Sequence, residues 1–276
     1  MLQNDVYQLD AHGPIYAYLP SDVDQGKKLP MVLDLNCTTG NPEAEVHTNG
    51  WDRIAEDKGV VVVAPTYDDY VTYGETGYMK EVIEDAIKRY PVDPHRVYSV
   101  GFSNGGALSG ALAATYPTLL AGIAAMGWMI SLNHSQDLTI PFLLIQGTRE
   151  YTSHIGAHRV MTDEQAALAD LMTTNQLRNN QPDYRQTPYW GYRPDKQFSR
   201  HPRYHDYDPY GNNQRLRTDK EWQFSQYMKK GYKNPFAELV LVQDSPHIPH
   251  DYNATVAWEF LSHFRRDDDG QINEID

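Results

Sequence analysis

Two short, largely apolar runs rich in β-branched residues, Met31-Val-Leu-Asp-Leu35 and Val60-Val-Val-Val-Ala64, constrain the fold more than any other feature of the chain. Each is bounded by proline or glycine and has the length of a strand. Neither alternates, so neither has a wet face, as expected of strands buried on both sides of a parallel sheet. Between them Trp51 to Lys58 has helical spacing and stops at Gly59. Further on, Val82, Ile83, Ala86 and Ile87 share one face of a helix expected from Met79 to Tyr90, ending before Pro91. Strand signals recur at Val97–Val100, Leu120–Met126, Pro141–Gln146 and Glu238–Val242, and helix signals at Asn104–Tyr116, Thr162–Leu177 and Ala254–Phe264. An N-terminal strand pair is expected at Val6–Leu9 and Ile15–Leu19. Strands interleaved with helices predict an α/β domain: a mostly parallel sheet of about eight strands with helices on both faces.

The alternation stalls between residues 178 and 237. A structureless stretch of that length is uncommon inside a compact domain, and its composition is not that of disorder. From Tyr184 to Tyr232 the chain holds eight tyrosines, two tryptophans, ten Lys/Arg and five Asp/Glu, a local charge of +5 in a chain of net −13. We therefore expect an ordered Tyr/Arg-rich insertion, 178–237, covering one end of a core formed by 1–177 and 238–266. An acidic, solvated tail is expected at 267–276. The insertion's aromatics either seal it to the sheet or, as a lid, stack on a ligand; Trp190 and Trp222 are the candidates for stacking.

The acidic balance of 37 Asp/Glu against 24 Lys/Arg makes a phosphate backbone a poor partner, so no nucleic acid is expected. The longest apolar stretch, Leu119 to Ile130, has twelve residues against the roughly 20 needed to span a bilayer. The first residues lack the basic start and apolar run of a secretory signal, which reads as cytoplasmic, or as exported where a signal has been removed. A single cysteine, Cys37, excludes an internal disulfide framework and a multi-thiolate zinc site. His154/His158 and His201/His205 lack the companions of a metal centre, and no metal is expected.

One motif carries chemistry. Gly101-Phe-Ser-Asn-Gly-Gly106 follows a strand and opens a helix, which is G-x-S-x-G in the setting that gives it meaning. A sharp turn there lifts Ser103 to the carboxyl edge of the sheet, and Gly101 and Gly105 let the neighbouring backbone pass close. The helix start places the Asn104 amide where a developing oxyanion would sit.

Together with Val92-Asp-Pro-His-Arg-Val-Tyr98 and Ala111-Leu-Ala-Ala-Thr-Tyr-Pro117, this motif resembles the polyhydroxybutyrate depolymerase/feruloyl esterase group of α/β-hydrolases. The likeness is clear over about residues 28 to 150 and looser in the last 40; the insertion matches nothing in it. It implies an α/β-hydrolase fold and a cofactor-free serine esterase acting on small or polymer-linked carboxylic esters (acetyl, short acyl or hydroxycinnamoyl). In that fold the order along the chain is serine, acid, histidine. His247, after the last strand, matches the family's histidine, with His250 as the alternative. Glu150 stands where related esterases have Gly-Thr-x-Asp, with Asp163 and Asp244 as alternatives. Asn36-Cys37 replaces the family's His-Gly, so Thr38 is expected to supply the second oxyanion amide, with Cys37 as the alternative. Two other functions fit the same residues: a peptidase or acyl-peptide hydrolase using the same triad, and a non-catalytic ligand-binding homologue.

Overall fold

The computed structural model describes residues 2–23, 26–68, 74–128, 138–150, 157–181, 191–207 and 215–275. In chain order the elements are β1 (Gln3–Tyr7), β2 (Ile15–Leu19), β3 (Leu29–Leu35), α1 (Pro42–Asn49), α2 (Trp51–Lys58), β4 (Val61–Pro65), α3 (Thr76–Arg89), β5 (Val92–Phe102) and α4 (Asn104–Thr115). There follow β6 (Gly122–Met126), β7 (Phe142–Gly147), α5 (Ala157–Thr174), β8 (Lys196–Arg200), β9 (Tyr204–Tyr207), β10 (Arg215–Thr218) and β11 (Trp222–Tyr227). The chain closes with β12 (Ala237–Val242), α6 (Asn253–Leu261), β13 (Phe264–Arg266) and β14 (Ile272–Glu274).

Ten strands form one sheet in the order β1-β2-β4-β3-β5-β6-β7-β12-β11-β8. The six from β4 to β12 are mutually parallel, and antiparallel strands close both edges. Every residue of β3, β4, β6, β7 and β12 is buried, which is why these runs read as predominantly apolar and do not alternate. Helices α2 and α6 pack together against the sheet, and so do α3 and α4. Helix α4 is buried from Asn104 to Ala113. Its Gly, Ala and Ser residues let it lie close on β5 and β6, and Ser109 meets Ser99 of β5 at 2.9 Å to satisfy both buried hydroxyls. Among the described residues no helix is long and apolar enough to cross a membrane.

The largest departures from the sequence expectation lie in three segments. The 178–237 stretch does not stand apart as a cover: β11 and β8 extend the central sheet beyond β12, and β9 pairs with β10. Helix α1 was not anticipated, although its signals are present. Asn41 caps it by accepting from the Ala44 amide, Pro42 opens it, and Gly50 ends it at φ 88°. Residues 267–275 are not a solvated tail. Asp267 accepts from the amides of Asp269 and Gln271, turning the chain so that β14 pairs with β13 and Ile272 is buried.

Candidate active site

Parallel strands deliver everything that follows them to the same edge of the sheet. Ser103 follows β5, Glu150 follows β7, His247 follows β12, and residues 36–40 follow β3. Residues distant in sequence therefore converge by topology.

Ser103 holds φ 55° and ψ −117°, a conformation costly for a residue with a Cβ. Its amide donates to the Met126 carbonyl at 2.7 Å, which pins the turn to β6. The turn needs small neighbours. A Cβ on Gly101 would fall on the backbone of Gly105, and one on Gly105 would fall on the Leu35 carbonyl.

His247 Nε2 lies 2.9 Å from Ser103 Oγ, and His247 Nδ1 lies 3.1 Å from Glu150 Oε2. The other Glu150 oxygen accepts from the Gly147 amide at 2.6 Å, so a buried carboxylate is fixed by its own loop. Phe102 faces the imidazole at a ring separation of 4.6 Å. Gly127, at φ 77°, makes room for both rings: a Cβ there would stand 2.7 Å from His247 Cε1 and 3.0 Å from Phe102 Cε2. Sequence reasoning missed Gly127, whose only signal was its place just after β6.

The alternatives fall elsewhere. His250 Nε2 meets Ser245 Oγ at 3.0 Å, not Ser103. Asp244 is exposed. The side chain of Asp163, and all of His154 and Trp190, lie outside the described residues. Trp222, read from sequence as a stacking residue for substrate, is fully buried in β11 against His250, Tyr204 and Tyr252, and this corrects that expectation. Its pairing with Val242 of β12 places it in the core.

Asn104 opens α4, the end at which helix amides point outward with positive potential. In the loop after β3, Thr38 is exposed. The Cys37 amide is already committed to Glu45, at 3.0 and 3.2 Å from its two carboxylate oxygens. Glu45 thus ties α1 to this loop, a contact sequence reasoning did not foresee.

Burial pushes the Glu45 carboxyl up to about 7, against the opposing bond from the Cys37 amide. Burial, reinforced by Glu45, raises Asp34 as well. A raised folded-state pKa means stability that is full below the unfolded value and is lost as pH rises through the folded one. Between about pH 4.5 and 7 Glu45 should therefore withdraw on the order of 3 kcal/mol. Urea unfolding of wild type and Glu45→Gln at pH 5 and pH 7.5 checks this. Glutamine keeps an acceptor for Cys37, so the variant should lose less stability across the window; parallel profiles would contradict the assignment.

Among the described residues no group of three or more His, Cys, Asp or Glu side chains gathers as a metal site.

Residues 67–180 match the family model described as phospholipase/carboxylesterase. A bifunctional acetylxylan esterase/xylanase of Neocallimastix patriciarum is 31% identical over 99 residues, which is 33% of this chain and 14% of that protein. Feruloyl esterase B of Thermothelomyces thermophilus is 25% identical over 145 residues, 46% of this chain and 48% of that one. The chain thus spans about half or less of the length of these curated relatives. In structure it is similar to an acetyl xylan esterase from Aspergillus awamori, with a TM-score of 0.60, 14% identity, and coverage of 95% and 98% of the two chains. By topology and by these likenesses, the chain has the α/β-hydrolase fold and resembles the esterases of the polyhydroxybutyrate depolymerase/feruloyl esterase group.

Proposed function

We propose that the chain is a carboxylic ester hydrolase working through an acyl-enzyme on Ser103. The observation that carries this reading is the hydrogen-bonded line Ser103 Oγ–His247–Glu150, joined across 144 residues of sequence. A serine hydroxyl is a weak nucleophile until a base takes its proton. His247 Nε2 takes that proton as Oγ bonds to the ester carbonyl carbon. The carbonyl oxygen becomes an oxyanion, which the amides of Asn104 and Thr38 stabilise. The imidazolium then returns the proton to the departing alkoxide as the carbon–oxygen ester bond breaks. Water, activated by the same histidine, releases the acid and restores Ser103. Glu150 fixes the imidazole with its proton on Nδ1 and balances the transient positive charge.

The names of the relatives, acetylxylan esterase and feruloyl esterase, make acetyl and hydroxycinnamoyl esters the first substrates to try, free or polymer-linked. A fluorophosphonate probe should label the protein at Ser103, located by peptide mass spectrometry. The labelled protein should lose hydrolysis of p-nitrophenyl acetate, and of butyrate or ferulate esters where these are substrates. Turnover of a p-nitroanilide at rates matching the ester would favour a peptidase. No label and no ester turnover would leave a non-catalytic binding homologue.

A further inference from the structure

A second Ser–His–Asp line runs beside the first. Ser245 Oγ lies 3.0 Å from His250 Nε2, and His250 Nδ1 lies 2.7 Å from Asp206 Oδ1. Lys220 Nζ donates to the other Asp206 oxygen at 3.0 Å. All three members are buried: Ser245 is 0%, His250 3% and Asp206 9% exposed. No ester carbonyl reaches a hydroxyl so enclosed, so the line is not a second reaction centre.

Its position gives it a different task. Ser245 and His250 are the two ends of the loop that carries His247 in its middle, and their bond closes that loop. The Ser245 carbonyl accepts from the Arg149 amide at 2.9 Å, which ties the same end to the segment leading into Glu150. At the other end His250 bridges to Asp206 of β9, and the adjoining Asp251 accepts from the His205 amide at 2.9 Å. The rings of Tyr204 and Trp222 stand edge-on to His250, with centroids at 5.3 and 5.4 Å, and exclude water from it. Asp206 keeps its charge: burial raises its carboxyl, but the bonds from His250 and Lys220 leave it below the ordinary value. A carboxylate accepts only, so the His250 proton sits on Nδ1. At Nε2 the ring meets Ser245 Oγ, whose hydroxyl also lies 3.1 Å from the Pro246 carbonyl. Every polar atom of the line is satisfied, the condition under which a buried network rigidifies what it joins.

We propose that His250, held by Asp206 of the insertion and bonded across the loop to Ser245, is a positioning residue that aims His247 at Ser103. The 178–237 segment thereby completes the site from a distance. This rests on the reading of Ser103 and His247 given above. Misplacing a reacting group by about 1 Å costs on the order of 100-fold, so loosening this loop should lower turnover rather than substrate binding.

The test compares His250→Phe, which keeps a ring and loses both bonds, with His250→Gln, which can donate to Asp206 and accept from Ser245. With p-nitrophenyl acetate, kcat of folded His250→Phe should fall about 10- to 100-fold while KM stays within about twofold. His250→Gln should recover most of the loss. A wild-type kcat in folded His250→Phe overturns the proposal, and so does a loss that follows the unfolded fraction and is not recovered by glutamine. Should His250→Phe not fold, Ser245→Ala decides: a several-fold fall in kcat at unchanged melting temperature supports the proposal, and an unchanged kcat overturns it. Wild-type turnover that disappears in Ser103→Ala secures the underlying reading separately, so failure of the two ideas is distinguishable.

Discussion

Ser103→Ala should lower kcat/KM for an acetyl ester by about 10⁴-fold or more while leaving the melting temperature within a few degrees of wild type. Two arguments set these expectations. Without Oγ no acyl-enzyme forms, and His247 Nε2 loses the partner 2.9 Å away whose proton it accepts. Any residual rate comes from water in a site that still offers its amides and its base, as in other triads stripped of the nucleophile. Stability should scarcely change, because the strain at φ 55° belongs to any residue with a Cβ and alanine has one. The measurements are steady-state rates with a p-nitrophenyl ester, a thermal melt, and burst kinetics. Wild type should show a burst of nitrophenol where deacylation is slow, and the variant none. An alanine protein that hydrolyses the ester at the wild-type rate ends the proposed chemistry.

The parts of this molecule legible in the sequence are those whose cause is local. β3 and β4 announce themselves because both of their faces are buried, and the turn at Gly101–Gly106 because its geometry admits few residues. The positions of Ser103, Glu150 and His247 then follow from one topological fact, that parallel strands end on one side. What escaped depends on partners far along the chain. β8 and β11 carry Lys, Gln, Ser and Arg among their aromatics and have no strong period, and they become strands by pairing with one another and with β12. Trp222 reads the same in sequence whether it faces a ligand or the core; the register of β11 against β12 decides for the core. Residues 267–274 look solvated because Asp267 is charged, yet that carboxylate is used up in holding a turn. Glu45 and His250 reveal their roles only when α1 meets the loop after β3 and when β9 meets the loop after β12.

Gly105→Ala is the change expected to damage the fold most for its size. On an exposed helix the substitution is worth up to about 1 kcal/mol in favour of alanine. Here the sign should reverse. Gly105 lies in the first turn of α4, where the helix presses on the end of β3. Its added methyl would overlap the Leu35 carbonyl group and stand 2.9 Å from the Asn36 oxygen. Neither partner can yield cheaply. Leu35 is paired to Gly101 in β5, and Asn36 begins the loop held by Glu45 through the Cys37 amide and by Tyr67, whose hydroxyl donates to the Asn36 carbonyl at 2.6 Å. The variant should therefore lose about 3 kcal/mol or more, as overpacked backbone contacts do. Activity should fall beyond the folded fraction, because the displaced atoms lead into the loop bearing Thr38 and press on the turn that follows Ser103. Gly231→Ala provides the contrast. Gly231 holds φ 93° with nothing within 4 Å of an added Cβ, so it carries backbone strain without a clash and should cost only about 1 kcal/mol. Urea unfolding of both variants, with ester turnover measured on the folded protein, separates the two causes. A Gly105→Ala protein as stable as wild type would mean that β3 and α4 can move apart, and the close approach that frames Ser103 would no longer explain why its neighbours are glycines.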